Sequence, residues 1–153
     1  MTAERDIEVL AQRFQAKAVS RAEWTHEAHL AIGLWHVARF GAVEALARLR
    51  DGIRALNEAN GVANTATGGY HETITHAYVV LIERFLVRRG LAAAAPGNLQ
   101  GEVDALLADP LADRAALFAY WTRDTLLSPQ ARAGWVEPDL AALPNRREPA
   151  GRG

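Results

Sequence analysis

The chain has 153 residues, half of them hydrophobic, with a formal net charge of -1 and no cysteine. That size and apolar content suit one compact domain with a buried core. The near-zero charge gives no general attraction to phosphate backbones or anionic lipid, which argues against nucleic acid or a membrane as partner. The lack of cysteine removes disulfides, thiol nucleophiles and thiolate metal sites together, so any metal must be held by His, Asp or Glu. The N-terminus has no basic start followed by an apolar run, and no unbroken apolar stretch approaches the roughly eighteen residues of a spanning helix. A cytoplasmic protein is expected.

Apolar residues recur at helical spacing through most of the chain and alternating β-branched runs are missing, which predicts an all-α fold. The expected architecture is a single-domain helical bundle over residues 1–140, with about four long helices and shorter C-terminal ones, and a disordered tail over 141–153. Helix 1 carries Ile7, Leu10 and Phe14 on one face. Helix 2 begins either at Ser20, which has Glu23 three residues on as a capping box, or at Thr25, with Trp24 before it as a staple. It runs to Phe40 and stops at Gly41. Helix 3 covers about Ala42 to Asn60, with Val43, Leu46, Leu49, Ile53 and Leu56 in a stripe. A loop rich in Gly, Asn and Thr follows, and helix 4 runs from about Tyr70 to Arg89 with Gly90 as its stop. Beyond the connector from Leu91 to Gly101, shorter helices fit Glu102 to Ala108, Arg114 to Leu127, and a Ser128-Pro129 start leading to Trp135.

All five histidines fall in two windows, 26 to 36 and 71 to 76. At about 100° per residue, His26, His29, Gly33, His36 and Phe40 lie within an arc of roughly 80° on helix 2. The other faces between Ala28 and Val37 are apolar, so this helix should be buried, and buried histidines need partners. On helix 4, His71 and Thr75 fall on the core face, whereas His76 lies about 140° away from His71, at the rim. The stretch His71-Glu72-Thr73-Ile74-Thr75-His76 is therefore not a zinc-protease helix, which needs its histidines at i and i+4. A di-iron carboxylate site is also unsupported: Glu23 and His26 supply one Glu-x-x-His pair, but Glu72 is followed at i+3 by Thr75, so the second pair is missing.

A mononuclear site is the metal expectation that remains. His26, His29 and His71 would bind one divalent ion, zinc, iron or nickel, with Glu72 as a fourth ligand or as the base polarising a bound water. The competing expectation is a hydrogen-bonded core network, in which such histidines meet backbone carbonyls or carboxylates and no metal is involved. His36 can tuck beside Phe40. Arg54 lies beside the core stripe of helix 3, where a guanidinium can hold an anion or a carboxylate. The four tryptophans read as core or interface anchors, and Ser128 as an N-cap.

The stretch Trp24-Thr25-His26-Glu27-Ala28-His29-Leu30 resembles the aromatic-x-His-x-x-His motif of a family of short, all-helical bacterial proteins of uncharacterised function. Tyr70-His71-Glu72-Thr73-Ile74-Thr75 is similar to that family's Tyr-His-Glu-Thr-Ile-Thr motif, as is the closing Leu127-Ser128-Pro129-Gln130-Ala131-Arg132 with Glu137-Pro138-Asp139. The resemblance implies roles for His26, His29, His71 and Glu72. A weaker likeness is to helical thiol-transferase-like proteins that hold a metal with three histidines, although the i, i+4 pair usual there is absent here. Two functional expectations follow. One is a metal-dependent or small-ligand site between helices 2 and 4, acting on a small molecule. The other is a non-enzymatic interaction module, with a homodimer as one form of it.

Overall fold

The computed structural model describes residues 6–91 and 98–144. Expectations for the middle of the connector and for the tail beyond residue 144 lie outside the described residues. Every regular element among them is helical: α1 (Ile7–Gln15), α2 (His26–Ala59), α3 (Glu72–Arg88), α4 (Gln100–Leu107), 3-10 turns at Pro110–Ala112 and Ala116–Ala119, α5 (Arg123–Leu126) and α6 (Pro129–Ala133).

α1 begins where the Asp6 carboxylate accepts from the Glu8 amide at 2.9 Å, and it buries Ile7, Ala11 and Phe14. Both expected starts before α2 form, in sequence. Ser20 and Glu23 exchange hydrogen bonds, Glu23 N to Ser20 Oγ at 3.2 Å and Ser20 N to Glu23 Oε1 at 2.9 Å, and they close a turn rather than a helix. Thr25 then caps α2 by accepting from the Ala28 amide at 3.2 Å. From Leu30 to Ala38 every residue of α2 is buried, as the all-round apolar pattern requires.

Gly41 breaks α2 internally, with φ 78° and ψ 164°. Its left-handed φ suits a residue without Cβ. The chain folds back there: Phe14 of α1 touches His36 before the break and lies against Gly52 after it, positions that sixteen residues of straight helix would hold about 24 Å apart. α2 is thus two limbs, 26–40 and 42–59, which matches the expected pair of helices meeting at Gly41. By length and average composition α2 could cross a membrane, because averaging tolerates the polar residues that interrupt its apolar runs. More than half of its most apolar window, 56%, is buried inside the protein.

The limbs pack through an aromatic wedge. Phe14 stacks on Trp24 at 5.4 Å and meets His36 edge-on at 5.5 Å. Gly52, in the second limb, makes room for it, since a Cβ there would lie 2.6 Å from Phe14 Cε2. α3 then packs along both limbs. Gly69 (φ 81°) turns the chain into it, at a spot where a Cβ would come within 2.5 Å of the Ala63 carbonyl. One face of α3 joins the main core of α1, α2 and α4 through Val79, Ile82, Phe85 and Leu86. Another holds a smaller cluster in which Ala77 and Leu81 meet Leu117, Trp121 and Leu126.

The single helix expected over Arg114 to Leu127 is instead a 3-10 turn followed by short α5. Asp113 and Thr122 divert the backbone, the first accepting from the Ala115 amide at 2.8 Å and the second from the Thr125 amide at 3.3 Å. Each side chain starts a new turn inside the stretch. Asp139 locks that arrangement, accepting from the Thr122 amide and from the Thr122 and Thr125 hydroxyls at 2.7 to 2.8 Å. Ser128 caps α6 through the Ala131 amide at 3.1 Å. α6 stops at Ala133.

Candidate functional site

His71 is held on both sides of its ring. Nδ1 accepts from the Ile74 amide at 3.1 Å, making His71 the N-cap of α3, and Nε2 lies 2.8 Å from the buried Leu126 carbonyl. A carbonyl only accepts and an amide N–H only donates, so the ring is the neutral Nε2–H tautomer with neither nitrogen left for an ion. Desolvation also lowers its pKa, in keeping with the neutral form. Three of the other four histidines likewise find backbone carbonyls at 2.8 Å: His26 through Nε2 to Ala112, His29 through Nδ1 to Thr25, and His36 through Nδ1 to Ile32. His36 lies in the core against Trp35 and Phe40, as anticipated. His76 sits half-buried on Trp135, with ring centres 4.3 Å apart.

Glu72 is committed elsewhere too. Arg50 reaches it bidentately, Nε to Oε1 at 2.8 Å and the terminal nitrogen to Oε2 at 2.7 Å, and the Tyr70 hydroxyl donates to Oε1 at 2.8 Å. The Arg50 hydrogen bonds hold its carboxyl below the ordinary glutamate range, which makes a weak base. The expected set of His26, His29, His71 and Glu72 around one metal therefore does not fit. His71 has no free nitrogen, both Glu72 oxygens face Arg50 and Tyr70, and no three His, Asp or Glu side chains among the described residues group closely enough for an ion. In the structure Glu72 is the carboxylate of a bidentate ion pair with Arg50. The cation facing it is Arg50; Arg54 lies over the Tyr70 ring instead. The helical wheel ranked Arg54 nearer the core stripe, and it carried no account of where α3 begins.

What the histidine motif does border is a cleft of about 390 Å³ between the two limbs of α2 and α3. Leu30 and Gly33 from the first limb, Leu49 and Ile53 from the second, and Ile74, Val79 and Ile82 from α3 form its apolar body. Its polar lining is His26, His29, Thr75, Tyr78 and Arg114. Gly33 explains part of the space, because even a Cβ there would approach Ile82 Cδ1 to 3.1 Å. A second hollow of about 400 Å³ adjoins it and shares Trp24, His29, Ile53, Ile74 and Thr75.

His29 stands at this shared wall, its ring 3.9 Å from that of Trp24. The residue is solvent-exposed but lies in a concave surface, so protein surrounds it without covering it, and that desolvation lowers its pKa. With Nδ1–H donating to the Thr25 carbonyl, Nε2 of the neutral ring carries the free lone pair. Beneath it the Trp24 indole N–H is buried with no acceptor among the described residues. Thr75, Tyr78 and Arg114 are the lining residues that motif reading passed over. Tyr78 and Thr75 belong to the core face of α3 on the wheel, but nothing in the sequence brings Arg114 to them. No protein-family model, curated protein or solved structure matches the chain.

Proposed function

We propose that this protein binds a small molecule in the cleft between the limbs of α2 and α3, with His29 as the proton acceptor of the site. The observation that carries this is the cleft itself: an apolar chamber walled by three helical segments, with a few polar side chains in its lining. Its volume falls in the lower part of the range typical of small-ligand sites. Burying apolar ligand surface supplies affinity at about 25 cal/mol per Å². The few polar groups fix orientation. His29 is held by Thr25 in the tautomer that presents a basic Nε2, and its lowered pKa keeps it unprotonated near pH 7. It can therefore accept a proton or a hydrogen bond from a ligand O–H or N–H.

A structural hydrogen-bond role for the remaining histidines has its own support. His26 and His71 reach carbonyls 86 and 55 residues away in sequence, tying the C-terminal segments to α2 and α3. A thermal-shift screen of small amphiphiles tests the binding reading. Hits should raise the melting temperature of the wild-type chain and lose that effect in Gly33→Leu and Ile74→Phe, which fill the chamber. The reading fails if no compound shifts the wild type, or if hits act equally on both variants.

A further inference from the structure

Resting on that binding reading, we infer that the occupant of the cleft is a small amphiphilic carboxylate, its apolar body in the chamber and its carboxylate at Arg114. The lining contains one formally charged side chain, Arg114, and no Asp or Glu. An organic cation would meet like charge and find no counter-ion. A dianionic phosphate ester would find one guanidinium where it needs more. A single carboxylate matches the forked donor geometry of one arginine.

The backbone favours the same sign of charge. His26 and His29 come from the first turn of α2, and Ile74 and Thr75 from the first turn of α3, so two helix N-termini abut the chamber. Each carries the partial positive charge of its macrodipole. Two carboxylates act on this region from outside the lining. Glu27 interacts electrostatically with Arg114 and with His26, and Asp113 lies near Tyr78, whose hydroxyl donates to the Asp113 carbonyl at 3.4 Å. Neither is hydrogen-bonded to Arg114 among the described residues, and Glu27 is the group with which a bound carboxylate competes. The apolar lining from Leu30 to Ile82 excludes a ligand that is polar throughout, because its far end would lose hydration without gaining partners.

A matched series tests the assignment: octanoate, 1-octanol and octylammonium, titrated into the full chain at pH 7 with tryptophan fluorescence and calorimetry as readouts. Octanoate should bind about tenfold more tightly than the other two, the size of one charge-assisted hydrogen bond. Arg114→Gln should abolish that preference, bringing octanoate down to the affinity of octanol. Gly33→Leu should weaken all three, and Ile74→Phe provides the same test if the glycine variant does not fold. Equal affinity for acid and alcohol, or a preference that survives Arg114→Gln, overturns the carboxylate assignment while the cleft keeps its role as a binding site. Absence of binding by all three at millimolar concentration overturns both.

Discussion

Replacing His71 with alanine removes two fastenings at once. The first is the N-cap of α3, where the imidazole Nδ1 accepts from the Ile74 amide; losing a good cap costs about 1 kcal/mol, within a range of roughly 0.5–2. The second is the Nε2 hydrogen bond to Leu126, buried and 55 residues distant. Its loss leaves a carbonyl without a partner, at about 1–3 kcal/mol. Together these give a destabilisation of about 2–4 kcal/mol, which in a chain of this length lowers the melting temperature by roughly 5–15 °C. His71→Asn separates the two, since asparagine caps well but is too short to reach Leu126, and it should recover about 1 kcal/mol. The assay is urea unfolding followed by circular dichroism, with and without chelator and with added zinc. Hydrogen exchange at the Ile74 amide should quicken in the alanine variant and stay protected in the asparagine one. A wild-type-like midpoint for His71→Ala refutes the reasoning. So does a wild-type chain that loses comparable stability when chelator is added, which would return His71 to a metal.

Acid sensitivity follows from the same rings. His29, His36, His71 and His76 all have pKa values lowered, desolvation being the largest cause in each. A folded pKa below the unfolded value of about 6.5 means that the unfolded chain binds protons first. The stabilisation is present above about pH 6.5 and is lost as the pH falls toward and through the folded values. Urea midpoints should drop from pH 7.5 to pH 5, and a flat or rising profile contradicts this. For Glu72, a double-mutant cycle with Glu72→Gln and Arg50→Met should give a coupling of about 1 kcal/mol, modest because the arginine is 39% exposed. Additivity within about 0.3 kcal/mol dissolves the pair.

Helix class, the break at Gly41 and the caps at Thr25 and Ser128 were legible because each depends on residues within a few positions. The burial expected between Ala28 and Val37 was legible for a similar reason, since an apolar surface on all sides has one solution; within that stretch His29 alone stays exposed. Pairings set by tertiary approach were not. The wheel put His71 on the core side correctly, yet its ring turned back to cap its own helix, a competition that a face assignment does not describe. Glu72 looked like a ligand because Arg50 lies 22 residues upstream, on a limb whose orientation follows from the fold at Gly41. Arg114 was invisible because the stretch around it read as one helix, and Asp113 and Thr122 broke that helix into turns.

The reversal at Gly41 also sets how the cleft can vary. Two walls of the chamber are the limbs on either side of that break, so the torsions of a single residue bear directly on their separation. A limb of eighteen residues is a lever of about 27 Å, and turning it by about 10° sweeps its far end through roughly 5 Å. The geometry of that one corner therefore bears on the width of the chamber as directly as the side chains that line it.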